Sequence, residues 1–148
     1  MKKILVLCSG NSSRSQMAEG YLNFYAREKA DFYSAGLEDR GVNPLTVKVM
    51  AEDNIDISGS RSKSYKVFGK LHFDYLLTVC DEARQQLPRE ISFNEHFHFS
   101  IPDPDKDRKP EAERQEIFCQ VREQVKINIL KFIGKELSGN PELEITFT

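Results

Sequence analysis

The chain lacks a surplus of charge of either sign. Its 21 lysines and arginines stand against 23 aspartates and glutamates, for a formal charge of −2. A basic footprint for nucleic acid is therefore missing, and no nucleic-acid partner is expected. An anionic ligand has to be attracted locally rather than by the field of the whole molecule. No apolar run approaches the ~18 residues of a membrane span, and nothing resembles a leader segment, so neither membrane nor export is expected. Cysteine is scarce too. Three cysteines, an odd number without export signals, point to a reducing cytoplasm and to thiols kept for chemistry. Internal repeats and low-complexity tracts are absent. At 148 residues the expectation is a single domain over residues 1–137 and a tail over 138–148, monomeric and without a cofactor or metal.

What the chain has is concentrated in Cys8-Ser9-Gly10-Asn11-Ser12-Ser13-Arg14-Ser15. Before it, Lys3-Ile4-Leu5-Val6-Leu7 is the short apolar run of a buried parallel strand. After it, Met17, Ala18, Tyr21, Leu22 and Tyr25 recur at helical spacing. The segment between has the composition of an oxyanion cradle. Gly10 and Asn11 tolerate positive φ, so successive N–H groups can turn inward as an anion-binding nest. The helix N-terminus adds partial positive charge. Arg14 can grip two oxygens of a tetrahedral anion in a fork that lysine cannot reproduce. At the floor of such a nest Cys8 is expected as a thiolate, because everything around it favours negative charge. The plainer reading is a cysteine that merely ends a buried strand.

Further along, Asp31–Gly36 reads as a second strand. Asn43 and Pro44 start a helix as cap and first residue, with Val47, Met50 and Ala51 inward and an end near Asn54. Residues 59–70 read as loop plus a short helix. Phe73–Cys80 is a third strand, followed by a helical turn capped by Asp81. His96–Ile101 is a fourth, edge strand, and Pro102–Asp107 a loop. The longest helix runs from Glu111 to Leu137 with Phe118, Val121, Val125, Ile129 and Phe132 inward, and Ser138-Gly139-Asn140-Pro141 breaks it. Strands alternating with helices give an α/β fold in three layers. A four-stranded parallel sheet in the order 2-1-3-4 carries helices on both faces. Ligands bind such sheets beyond the carboxyl ends of the strands. Cys8, Cys80 and Asp103 all belong to that edge.

The spacing C-x5-R followed by Ser15, in the context CSGNSSRSQMAEG, resembles the low-molecular-weight tyrosine phosphatase family and its arsenate reductase branch. Tyr33-Ser34-Ala35-Gly36, Gly41-Val42-Asn43-Pro44, Ile55-Asp56-Ile57-Ser58, Leu77-Thr78-Val79-Cys80 and Asp103-Pro104 are similar to landmarks of that branch. Gln16 fits it where phosphatases usually carry proline, and Asp105 stands where they tend to place tyrosine. The resemblance implies a phosphotyrosine phosphatase I-like fold. It also implies Cys8 as nucleophile, Ser9 to Ser15 as oxyanion loop, Arg14 as clamp, Asp103 as general acid in a dry cleft, and Ser15 as support for the thiolate. Cys80 matches the cysteine that attacks the arsenic-bound nucleophile and forms a disulfide with it. On residues alone, Asp103 between two prolines also reads as turn chemistry and Cys80 as a buried strand-end thiol. Cys119 has no expected role.

Two departures stand out. Thioredoxin-coupled reductases carry a third cysteine seven residues after the second, and Leu87 occupies that position. Some members hold potassium beside the loop on residues matching Asn11, Glu19 and Ser34, but the remaining carboxylate position is Lys63, whose ammonium would fill that place. The leading expectation is a cytoplasmic arsenate reductase-like enzyme, its partners an oxyanion (arsenate or phosphate) and a thiol reductant: a small thiol, glutaredoxin or thioredoxin. The alternatives are a phosphatase acting on phosphotyrosine and a non-catalytic oxyanion-binding module.

Overall fold

The computed structural model describes residues 1–137; the expected tail lies outside them. Four strands, β1 (Lys2–Cys8), β2 (Ala30–Gly36), β3 (His72–Thr78) and β4 (Ser92–His98), form one parallel sheet in the order β2-β1-β3-β4. The helices are α1 (Arg14–Ala26), α2 (Pro44–Glu52), α3 (Asp81–Gln85) and α4 (Glu111–Phe132), with a 3-10 turn at Tyr65–Phe68. A π-helical turn, Ile133–Leu137, continues α4. Parallel order follows from the crossover helices, because parallel neighbours cannot be joined by a tight turn. β1 is central, and Ile4, Leu5, Val6 and Leu7 are completely buried, as a strand covered on both faces requires.

Alternation along the strands sends side chains to two packed layers. Tyr75 and Phe97 meet Phe132 of α4 edge-to-face. Tyr33 meets Phe68 of the 3-10 turn in the same geometry. The expected stripe of α4, Phe118, Val121, Val125, Ile129 and Phe132, is buried throughout. Among the described residues no helix is long and apolar enough to cross a membrane.

Several boundaries differ from the sequence reading. β4 covers 92–98 rather than 96–101, because an edge strand paired only with β3 needs no apolar alternation, and Ser92, Glu95 and His96 stay on it. β2 starts one residue earlier than expected, at Ala30. The inward face of α2 is Leu45, Thr46, Val49 and Met50, whereas Ala51 is exposed. That helix ends at Glu52, and Asn54 takes φ +63°, the left-handed turn that asparagine tolerates. Tyr25, at the end of α1, is 42% exposed rather than inward. β3 stops at Thr78, and Cys80, not Asp81, caps α3: its sulfur accepts the Ala83 N–H at 3.4 Å.

Candidate active site

Residues 9–13 join the end of β1 to the start of α1. Their carbonyls are tied outward. Leu37 N–H donates to Cys8 O, Glu38 N–H to Ser9 O, Arg40 N–H to Gly10 O and Asn43 N–H to Ser12 O, at 3.0–3.1 Å. Among the described residues, no protein acceptor takes a backbone N–H of residues 9–14, so these donors are left for an anion. The geometry needs room beneath it. A Cβ on Gly36 would stand 2.3 Å from Glu38 O and 2.6 Å from Asn11 N. Of the two residues expected at positive φ, Asn11 has φ +50°, while Gly10 is not in that region and instead leaves space under the Arg40 side chain.

Ser9, Gly10, Ser12, Ser13, Arg14, Cys8 and Asp103 line a cleft of about 310 Å³. Asn11 and Ser15 do not line it. Both are wholly buried behind it and organise the sulfur: Ser15 Oγ lies 2.9 Å from Cys8 Sγ, and Asn11 Nδ2 donates to Ser15 Oγ at 2.7 Å. Arg14 donates from Nη1 to Ile101 O at 3.0 Å, which anchors the guanidinium to the segment leading to Asp103. Asp103 departs from expectation in one respect. It is exposed, its Oδ1 accepting the Asp105 N–H at 2.9 Å, because the turn at Pro102–Asp105 projects it over the mouth of the cleft rather than into a dry interior.

Cys80 is 2% exposed, and its sulfur stands 3.3 Å from the hydroxyl of Ser9, the residue next to Cys8. The following Asp81 accepts from His98 Nε2 at 2.9 Å. That bond first, and one from Ser100 second, hold the Asp81 carboxyl below its usual range. Thr78 Oγ1 bridges His98 Nδ1 at 2.6 Å and His96 Nε2 at 2.7 Å. Burial, then the neighbouring His98 charge, push His96 below the ordinary imidazole value.

Residues 3–142 match the profile of the family described as low molecular weight phosphotyrosine protein phosphatase. The chain belongs to that family. It is thereby a cysteine-dependent enzyme of the arsenate reductase or tyrosine phosphatase kind. The arsenate reductase of Shouchella clausii (strain KSM-K16) is 37% identical over 131 residues, 88% of this chain and 94% of that protein. A solved arsenate reductase in its phosphate-binding state superposes with a TM-score of 0.74 at 34% identity, covering 91% of this chain and 98% of that one. A low molecular weight protein tyrosine phosphatase from T. tengcongensis shares the fold, with a TM-score of 0.74 at 23% identity over 91% and 99% of the two chains.

Within this family framework the potassium-site residues do not suit a cation. Lys63 Nζ lies 3.4 Å from Ser34 Oγ and donates to Arg61 O at 3.2 Å, while Ser34 Oγ donates to Glu19 Oε1 at 2.8 Å. The ammonium stands beside Ser34, one of the residues that the resemblance matches to the ion's ligands, and like charges repel. Lys63 N–H also holds Asn11 Oδ1 at 2.9 Å, and Asn11 Nδ2 reaches Ser34 Oγ at 3.1 Å, which orients the amide that reaches Ser15.

Sequence reasoning missed Arg40, Asn43, Asp105 and Arg108, which complete the lining of the cleft. Their signal was positional: Arg40 and Asn43 lie in the loop after β2, at the edge where parallel sheets bind ligands. Hydrogen bonding to Glu38 raises Arg40 above the usual guanidinium range, against burial that lowers it. Asp105 is taken up by Arg114, whose Nε donates to it at 2.9 Å.

Proposed function

We propose that this enzyme reduces arsenate, with Cys8 as nucleophile and Cys80 as the thiol that resolves the adduct. The observation that carries the reading is Cys80, poised one hydroxyl away from the oxyanion loop at Ser9. Phosphoester hydrolysis has no use for a second thiol there. The cleft lining supports the same choice: Cys8, Arg14, Arg40, Asn43, Asp103 and Arg108 surround it, and among the described residues no aromatic side chain lines it to sandwich a phosphotyrosine ring.

The chemistry runs in two stages. The Cys8 thiolate attacks arsenic while the loop N–H groups and Arg14 hold the equatorial oxygens. Asp103 protonates the departing oxygen, which leaves as water. The Cys80 thiolate then attacks the Cys8 sulfur. A Cys8–Cys80 disulfide forms, the S–As bond breaks, and its electron pair leaves with arsenic as arsenite. Two thiols supply the two electrons that arsenic gains. The exposed position of Asp103 lets it exchange its proton with solvent between turnovers.

The test is steady-state kinetics with arsenate plus several thiol reductants beside hydrolysis of an aryl phosphate. Thiol-dependent arsenate turnover that Cys8→Ser abolishes is the expected result. Brisk aryl phosphate hydrolysis with no arsenate reduction by any thiol would transfer the chain to the phosphatase reading.

A further inference from the structure

The cleft over Cys8 opens into a second lobe that oxyanion chemistry leaves unused. This outer lobe, about 460 Å³, shares Ser9, Arg14, Arg40 and Asp103 with the inner one and runs past Cys80 to Glu82 and Lys106. Cys80 borders the outer lobe, whereas Cys8 borders the inner. Of residues 9–14, only Ser9 and Arg14 border the outer lobe, whereas Gly10, Ser12 and Ser13 border the inner alone. The outer volume falls within the range of small-molecule sites, ~300–1,000 Å³.

The charge pattern of this lobe is mixed. Arg14, Arg40 and Lys106 contribute positive charge, and Asp81, Glu82 and Asp103 negative charge. Arg40 is held in place by Glu38 through Nε at 2.7 Å. Lys106 has no ion-pair partner among the described residues. A field of both signs around one cavity does not select a simple anion. It matches a small molecule carrying carboxylates and an ammonium together.

Access to Cys80 narrows the occupant further. At 2% exposure, Cys80 cannot meet the flat face of a protein reductase without moving. Seven residues later, where a surface thiol could have carried the oxidation outward, Leu87 packs half-buried against the core. The outer lobe remains as the way in.

We propose that the outer lobe is the docking site of a small zwitterionic peptide thiol, its carboxylates on Arg40 and Lys106 and its ammonium toward Glu82. The proposal rests on the reductase reading above and specifies its electron donor. The donor thiolate attacks Cys80 of the Cys8–Cys80 disulfide. That bond breaks, its electron pair leaves on the Cys8 sulfur, and a mixed disulfide of donor and Cys80 forms. A second donor thiolate attacks the donor sulfur, releasing Cys80 and the donor disulfide. Two donor thiols thus lose two electrons, and their protons end on Cys8 and Cys80.

Glutathione is the probe, with its thiol-free analogue S-methylglutathione and uncharged 2-mercaptoethanol beside it. S-methylglutathione is expected to shift the amide resonances of Cys80, Glu82 and Lys106 saturably and to compete with glutathione in arsenate reduction. Lys106→Glu should raise the KM for glutathione about tenfold more than that for 2-mercaptoethanol, the scale of one charge-assisted hydrogen bond. No saturable shift at these amides, or an equal change in the two KM values, overturns the proposal. If no thiol supports arsenate reduction, the reductase reading fails separately. The titration still decides the lobe: shifts that Lys106→Glu abolishes keep it as a zwitterion site, and their absence removes it.

Discussion

Ser15 Oγ stands 2.9 Å from Cys8 Sγ, and Asn11 anchors that hydroxyl from behind. Asn11 Nδ2 donates to that oxygen at 2.7 Å, which leaves the hydroxyl hydrogen free to turn toward sulfur. On the reductase reading that hydrogen is donated to the attacking sulfur of Cys8. Ser15→Ala should lower turnover roughly ten- to a hundredfold, as expected for losing a hydrogen bond to a charged group worth ~1.5–3 kcal/mol. The melting temperature should change little. An unaltered pH–rate profile in this variant would show that the hydroxyl does not act on the sulfur.

Cys80 is predicted to be oxidised during turnover. Arsenate treatment without reductant should leave a Cys8–Cys80 disulfide, read by peptide mapping. Cys80→Ala should lose most of its arsenate reduction while keeping aryl phosphate hydrolysis, which needs Cys8 alone. Equal arsenate turnover in the variant, with the same reductant, would dispose of the resolving role.

Leu87→Cys should raise the thioredoxin-supported rate several-fold. The residue is half-buried beside Pro88, so the parent presents no relay thiol at this point of the chain. Efficient thioredoxin coupling in the parent, unchanged by the substitution, would mean that the Cys80 segment opens by itself.

The His96–Thr78–His98–Asp81 chain predicts a pH dependence of stability. His96 is held below its ordinary value by burial and then by the charge of His98, with Arg84 acting in the same direction. An unfolded imidazole titrates near ~6.5. Below that point the unfolded chain binds the extra proton, so stability is full above the window and falls as pH drops through it. Asp81, depressed by His98 and Ser100, works in the same sense nearer pH 3.8, its contribution lost as acid protonates it. The melting temperature should therefore be lower at about pH 5.5 than at about pH 7.5, and His96→Gln should shrink that difference. The same drop in parent and variant would remove His96 from the account.

The sequence was most legible where local chemistry and tertiary structure agree. β1 is apolar because it is covered on both faces, and the loop after it could be placed by composition alone. β4 was misplaced by four residues at its start because a one-sided edge strand imposes little pattern. The capping role of Cys80 was hidden by Asp81, a far commoner cap residue. Arg40, Lys106 and Arg108 could not be assigned to the cleft from local sequence, since each sits in a loop whose path is set by the sheet below it. Lys63 was found only through the resemblance; its distance from Ser34 in sequence carries no periodic signal.

The outward ties of the Cys8, Ser9, Gly10 and Ser12 carbonyls have a consequence for selectivity. They set the loop at folding, like a mould that keeps its shape when empty, so a ligand meets donors already in place. Such a mould counts oxygens and negative charge and is blind to the atom at their centre. Phosphate and arsenate must therefore enter it on nearly equal terms. On the reductase reading the distinction comes only after sulfur has attacked, because arsenic readily takes the electron pair of a breaking S–As bond and phosphorus does not. Abundant phosphate then acts as a standing brake on the enzyme, eased by the ratio of the two anions rather than by the shape of the site.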